Sequence, residues 1–355
     1  MTRRFVMRKL AILLLLIFIT LIMASCGNEE TSGEGATESN NTDKEQLTIF
    51  TTVYPLQFFA EEIGGDTVEV QSVLPPGSDA HTYEPTTKEM VKMAEAELFI
   101  FNGAGLESYA EKISESIKPE GVTTLEAAST IDLKEHVHDH EGEDGRTHGE
   151  DVHGEEDGAH EEDTHEEHTD EEENHVGHDH GEQDPHVWLD PIRATQLAER
   201  IKEQLVELNP DKEDVYKENF QELENKLREL DQSYHERIET MAKSKIIVSH
   251  AGYGYWEEAY GIEQIAVSGL SPTNEPSQKG LEDIIQTAEE HDLKHVIFEQ
   301  NITPKVSEVI QKEIGAEPLR LHNLSVLTES DIENEEDYFS LMKQNLDVLT
   351  QALAE

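Results

Sequence analysis

The chain holds one cysteine, Cys26, in 355 residues. Without a second thiol it can form no internal disulfide, and a zinc site built on cysteine sulfur is excluded. Basic residues are scarce too: 27 Lys and Arg stand against 78 Asp and Glu, for a net charge of -51. Phosphate backbones are held by clustered Lys and Arg, so nucleic acid is excluded as a partner and cations become the natural ligand. The sequence contains no ATP-binding G-x-x-x-x-G-K-[ST], no H-E-x-x-H and no G-x-S-x-G, which leaves nucleotide-driven, metalloprotease and serine-hydrolase chemistry without their usual residues. Its longest apolar run, Leu10 to Met23, is short for a membrane span.

That run follows Arg3, Arg4, Arg8 and Lys9 and leads into Ala24-Ser25-Cys26-Gly27. Residues 1–25 therefore read as a signal peptide, outside the fold. A cysteine directly after small residues resembles a bacterial lipoprotein signal, although Met23 stands where Leu is most often found. The resemblance implies lipidation at Cys26 and an extracytoplasmic chain anchored to the cell membrane. Residues 26–46 are rich in Ser, Thr, Asn, Gly and Glu and read as a tether.

Two blocks of alternating strand and helix signals follow. In the first, 47–52, 68–75 and 98–103 read as strands, and 87–96 and 106–117 as helices. In the second, 245–250, 262–269, 295–300 and 317–324 read as strands with helical patterns between them. Such alternation predicts an α/β protein of two lobes, each with a mostly parallel sheet flanked by helices. Between the blocks lie a helix ending near Asn209-Pro210 and a second over Lys212 to Met241, about 45 Å long at 1.5 Å per residue. The expected division is an N-terminal lobe over 47–189, a helical segment over 190–242 and a C-terminal lobe over 243–355.

From Glu135 to Asp184 the chain is low in complexity. It carries His136, His138, His140, His148, His153, His160, His165, His168, His175, His178 and His180, a single basic residue, Arg146, and almost nothing apolar. Such a segment cannot bury a core, and it is expected to be disordered without metal. Histidines among so many carboxylates point to weak, multiple metal binding, at an effective concentration of order mM for a short flexible tether.

Three further histidines sit at strand ends or loop boundaries, where ligands gather in open α/β sheets. His81 lies in PPGSDAHTYEP, His186 in DPHVWLDP, and His250 ends KIIVSH before AGYGY, whose glycines suit a tight turn. Singly, each is more ordinary as a loop residue than as a ligand. Together, TVYPL (52–56), LPPGSDAHTYEPT (74–86), DPHVWLDP (184–191) and VSHAGYGY (248–255) closely resemble the zinc-specific solute-binding proteins of bacterial ABC importers, in the metal-receptor cluster of periplasmic-type binding proteins. The likeness runs from about Leu47 to the C-terminus, and a His-rich insertion before DPHVW is common among the zinc members.

The resemblance implies two lobes joined by one long helix, with Zn(II) held in the cleft between them as transported cargo. His81 and His186 would come from the N-terminal lobe and His250 from the C-terminal one. Manganese-type relatives carry a carboxylate where His250 stands, and imidazole suits zinc where manganese prefers oxygen. Many zinc members show L-N-P-L-E-G-L-T near the C-terminus, whose Glu can be the fourth ligand; here LHNLSVLT (321–328) places Ser325 there. Water is then expected in the fourth position, ahead of Glu299 or His322, with Glu299 better suited to orienting a ligand histidine. The implied partners are a membrane permease and a cytoplasmic ATPase, with the receptor itself a monomer. Two other readings are weighed: a surface adhesin on the same fold, and a zinc hydrolase, since three histidines and a water also describe a hydrolytic site. Metal binding through imidazole is expected to weaken below about pH 6.

Overall fold

A computed structural model describes residues 46–135 and 183–354. Residues 1–45, with the expected signal peptide and Cys26, and the eleven histidines of the low-complexity run lie outside the described residues. Among the described residues no helix is long and apolar enough to cross a membrane.

The first lobe runs β1 (Leu47–Thr51), α1 (Tyr54–Gly64), β2 (Val68–Ser72), α2 (Thr87–Met93), β3 (Leu98–Phe101), α3 (Ala110–Ile117) and β4 (Thr123–Glu126). Its strands are all parallel, in the order β2-β1-β3-β4. Every residue of β3 is buried, as a strand covered on both faces requires. Helix α2 starts at a capping box in which Thr86 and Glu89 satisfy each other's backbone N–H groups. Then α4 (Pro191–Leu208) starts with Asp190 accepting from the N–H groups of Ile192 and Arg193. The long helix α5 (Glu213–Ile238) has 26 residues, roughly 39 Å at 1.5 Å per residue.

The second lobe repeats the plan: β5 (Lys245–His250), α6 (Gly254–Tyr260), β6 (Glu263–Ser268), α7 (Gln278–Glu290), β7 (His295–Glu299), α8 (Lys305–Glu313) and β8 (Glu317–Leu321). Its order is β6-β5-β7-β8, again all parallel. Helices α9 (Glu329–Glu333) and α10 (Tyr338–Leu353) complete the chain. The two sheets, the flanking helices and the long connecting helix agree with the architecture expected from the sequence.

Four elements escape that reading, the five-residue α9 among them. Helix α1 carries Pro55 in its first turn, where a missing N–H costs nothing. Strand β4 is only four residues, TTLE, with Leu125 alone buried. Helix α10 buries residues at helical spacing from Tyr338 to Leu353, so its signal was present but unread.

One buried apolar cluster passes from β1 and α1 through Trp188, α4 and α5 to β5, Trp256 and α10. Phe58 of α1 stacks on Tyr338 with ring centroids 5.9 Å apart, and Phe59 meets the same ring edge-on at 5.2 Å. The Tyr234 hydroxyl of α5 donates to the Met342 carbonyl of α10 at 2.7 Å. Each such buried side chain contributes roughly 1.5–3 kcal/mol, so swinging the lobes widely apart would cost several of these terms at once. The shared core and α5 therefore both oppose wide hinge motion.

Candidate metal centre

In each sheet the chain reverses its direction of travel between the two central strands, and the crevice beyond their carboxyl ends is where ligands settle. In the second lobe those strands are β5 and β7, and their last residues are His250 and Glu299. In the first lobe they are β1 and β3. There Asn102, one residue beyond β3, donates through Nδ2 to the Pro185 carbonyl at 3.0 Å and so holds the segment that carries His186. His81 comes from the loop after β2. Its backbone is shaped by Asp79, which accepts from the His81 N–H at 3.0 Å and from the Thr82 hydroxyl at 2.9 Å.

These elements bring His81, His186 and His250 together. Among the described residues they form the one group of three potential ligands with converging donor atoms, all within 4.8 Å of one another. His186 Nε2 lies 3.2 Å from His81 Nε2 and 3.3 Å from His250 Nε2. Zinc–imidazole bonds of 2.0–2.1 Å at a tetrahedral angle separate their nitrogens by roughly 3.3 Å. Two of the three separations among the donors thus already match the spacing around one small cation.

The outer ring nitrogens aim the inner ones. Asp184 Oδ1 accepts from both the backbone N–H and Nδ1 of His186, at 2.9 and 2.8 Å, which leaves His186 Nε2 as the free lone pair. His250 Nδ1 stands 3.0 Å from Glu299 Oε1, at ion-pair distance although off the line of a straight hydrogen bond. Burial disfavours a charged His250, but Glu299 and then Asp184 and Asp79 outweigh it, and the pKa is raised above 6.5. His81 goes the other way: burial and the neighbouring His186 and His250 hold its pKa well below 6.5. The site thus holds one imidazole that protonates readily and one that resists protonation.

The other sequence candidates fall elsewhere. Both ring nitrogens of His322 are engaged away from the trio, Nε2 with Asp331 Oδ2 at 3.0 Å and Nδ1 with the Leu324 N–H at 3.0 Å. The Ser325 hydroxyl donates to Asn323 Oδ1 at 2.8 Å. Glu299 lies on the Nδ1 side of His250, behind the ring as seen from the trio.

Asp184, Gly252 and Gly254 were missed as site residues. The signal for Asp184 was its place two residues before His186. The glycines of AGYGY serve close approach rather than a turn conformation. A Cβ on Gly252 would stand 2.8 Å from His250 Nε2, and one on Gly254 would stand 2.5 Å from Asp184 Oδ2.

The feet of the His-rich run meet beside this centre. Glu135 pairs with Gln183 in an antiparallel bridge, and the Asp184 N–H donates to the Lys134 carbonyl at 2.8 Å. Lys134 Nζ donates to the Gly254 carbonyl at 2.9 Å and to Glu257 at 2.5 Å, and the Tyr255 hydroxyl donates to the Asp184 carbonyl at 2.6 Å. Lys134 and Asp184, which bracket the run, are therefore both held against α6, Asp184 two residues before His186.

The family model described as zinc-uptake complex component A, periplasmic, matches residues 49–352. The zinc-binding lipoprotein AdcA of Streptococcus pneumoniae is 30% identical over 345 residues, covering 97% of this chain and 61% of its own length. The chain thus spans less than two thirds of that longer relative. The high-affinity zinc uptake system protein ZnuA of Bacillus subtilis is 32% identical over 334 residues, 94% of each chain. The Zn(II)-bound crystal structure of the ZnuA-like domain of S. pneumoniae AdcA superposes with a TM-score of 0.66 at 28% identity, covering 88% of this chain and all of that domain.

Proposed function

Since this chain belongs to the periplasmic zinc-uptake complex component A family, we propose that it captures Zn(II) outside the cytoplasm and delivers it to the membrane permease of an ABC importer. His81, His186 and His250 are the proposed ligands, and the observation that carries the reading is their convergence, with His186 Nε2 at zinc spacing from the Nε2 atoms of both others. Lipidation of Cys26, a cytoplasmic ATPase partner and a monomeric receptor belong to the same proposal. So do the domain limits 47–189, 190–242 and 243–355.

Among the described residues a hydrolase reading finds no free base beside the trio. Asp184 and Glu299 contact the outer nitrogens of His186 and His250 and hold those rings, and Asp79 accepts from the His81 N–H and the Thr82 hydroxyl. An adhesin reading leaves the convergence of three imidazoles without a purpose. Release through local loop movement fits the shared core better than wide domain opening.

The proposed division of labour assigns tight binding to the trio and weak accumulation to the run. Because Glu135 and Gln183 already pair, replacing residues 136–182 by a short Asn-Gly turn is expected to leave the centre intact. Calorimetry should then show one tight zinc site with affinity within about threefold of the native chain and the weak sites gone. Loss of the tight site would sink the assignment.

Proton competition gives an independent check. Zinc needs neutral imidazole, and His250 has its pKa raised above 6.5. As pH falls through that value, zinc must displace the His250 proton, so affinity is expected to fall about tenfold per unit. The loss therefore starts above pH 6.5, not below 6 as the bare sequence suggests. His81, with its lowered pKa, stays neutral over that range. Calorimetry near pH 6.5 in buffers of different ionisation enthalpy should count about one proton released per zinc. Glu299→Gln should move the onset to lower pH, and an unchanged profile would refute the role of Glu299.

A further inference from the structure

Each of the three histidine-bearing segments is tied to one short stretch of the second lobe, Asn323 to Leu327. The Leu327 carbonyl accepts from the N–H of Gly77, in the His81 loop, at 2.9 Å. The Asn323 carbonyl accepts from the Trp188 indole at 2.8 Å, and the Trp188 ring packs edge-on against His186 at 5.4 Å. The Asn323 amide donates to Glu299 Oε1 at 2.9 Å, the same oxygen that stands 3.0 Å from His250 Nδ1. One residue thus touches the carboxylate behind the histidine of one lobe and the indole beside a histidine of the other.

Asn323 is itself held firmly. Its Oδ1 accepts from the Ser325 N–H at 3.0 Å, the Ser325 hydroxyl at 2.8 Å and Gln300 Nε2 at 2.8 Å. Its N–H donates to Gln300 Oε1 at 2.9 Å. With three donors on Oδ1, turning the amide over would bring N–H against N–H, so Nδ2 is committed to Glu299. The next residue, Leu324, is fully buried with φ at 58°, a left-handed conformation that a branched side chain adopts only when its surroundings impose it. Here the His322 ring accepts from the Leu324 N–H at 3.0 Å. Strained backbone held this way, beside a ligand cluster, is a feature of sites that must be pre-organised.

We propose that Asn323 is a positioning residue of the metal centre, one that fixes the carboxylate behind His250 and, through Trp188, keeps His186 in register with it. The inference rests on the zinc reading above. It assigns Asn323 no contact with the ion. Its part is to stop Glu299 from rotating, so that the His250 ring cannot turn its lone pair away, and to lock that geometry to the opposite lobe.

The test compares Asn323→Ala with the native full chain in three measurements: the stopped-flow rate of Zn(II) release to a chelator, the visible absorption of the Co(II)-loaded protein, and metal-free melting. Release should be about tenfold or more faster and the Co(II) bands should change in position or intensity, as loss of an outer hydrogen-bonding partner typically costs 10–100-fold in affinity. Asn219→Ala, whose amide bonds the Ile63 carbonyl, should lower the melting temperature and leave the Co(II) spectrum unmoved. If Asn323→Ala does not fold, Gln300→Ala removes two of the bonds that hold Asn323 and should speed release by about threefold. A native Co(II) spectrum and a release rate within twofold of wild type in the folded variant would overturn the proposal. Wild-type protein that fails to retain zinc would instead overturn the zinc reading, and this inference with it.

Discussion

Replacing His250 by alanine is expected to weaken zinc binding by at least about 1000-fold, roughly 4 kcal/mol. The residue is the one proposed ligand that the second sheet supplies, and its removal leaves two imidazoles, which are too few for a tight zinc site. The loss does not stop at one bond. Glu299 is buried, and its pKa is held down by His250 and Asn323 against the cost of burial. Without His250 a charged group is left in the interior with less to balance it, and cavities bounded by such groups fill with water or neutralise the charge. Titration calorimetry on the variant should show only weak, multiple binding from the run. A tight site that survives would remove His250 from the ligand set.

Asp184→Ala carries the second largest effect, a loss of about 10–100-fold in zinc affinity. Asp184 is buried, and one oxygen accepts from both the backbone N–H and Nδ1 of His186. Alanine leaves both donors unpaired and frees the ring to rotate, so the inner lone pair is no longer aimed. Asp184→Asn keeps an oxygen for these donors and should lose less than the alanine variant. The order native, Asn, Ala in affinity, measured by chelator competition, is the expected result. Equal affinities in all three would show that His186 is oriented by packing against Trp188 alone.

Much of the architecture was legible because parallel strands buried on both faces leave continuous apolar runs, as in LFIF and KIIVSH. The long helix announced itself by composition and by the lack of breakers after Pro210. The three histidines were found through short motifs, each anchored by Pro or Gly, and the fold brings them together. Sequence suggested Glu299 as a group that orients a ligand histidine, but not which ring it serves or what holds it. Glu299 reaches His250 Nδ1 because β7 lies beside β5, and Asn323 reaches that carboxylate from the stretch after β8. Gly252 was read as a turn glycine because a need for bare space beside a ring leaves no pattern along the chain.

The two sheets share one strand order, so the end of β1 corresponds to the end of β5, and the end of β3 to that of β7. In the second lobe these positions hold a histidine and a carboxylate facing each other. In the first, the residues just past the strands are Thr52 and Asn102, and the carboxyl group there, Glu107, is enclosed by the Thr52 hydroxyl and the N–H groups of Asn102 and Gly103. Burial raises the pKa of that carboxyl group, while its counterpart Glu299 is lowered. A backbone plan used twice thus carries opposite chemistry on its two banks: one grips a peptide segment, and the other sets a negative charge behind His250. The cleft has a polarity that its near-symmetric frame conceals, and a cation entering it meets two unlike halves.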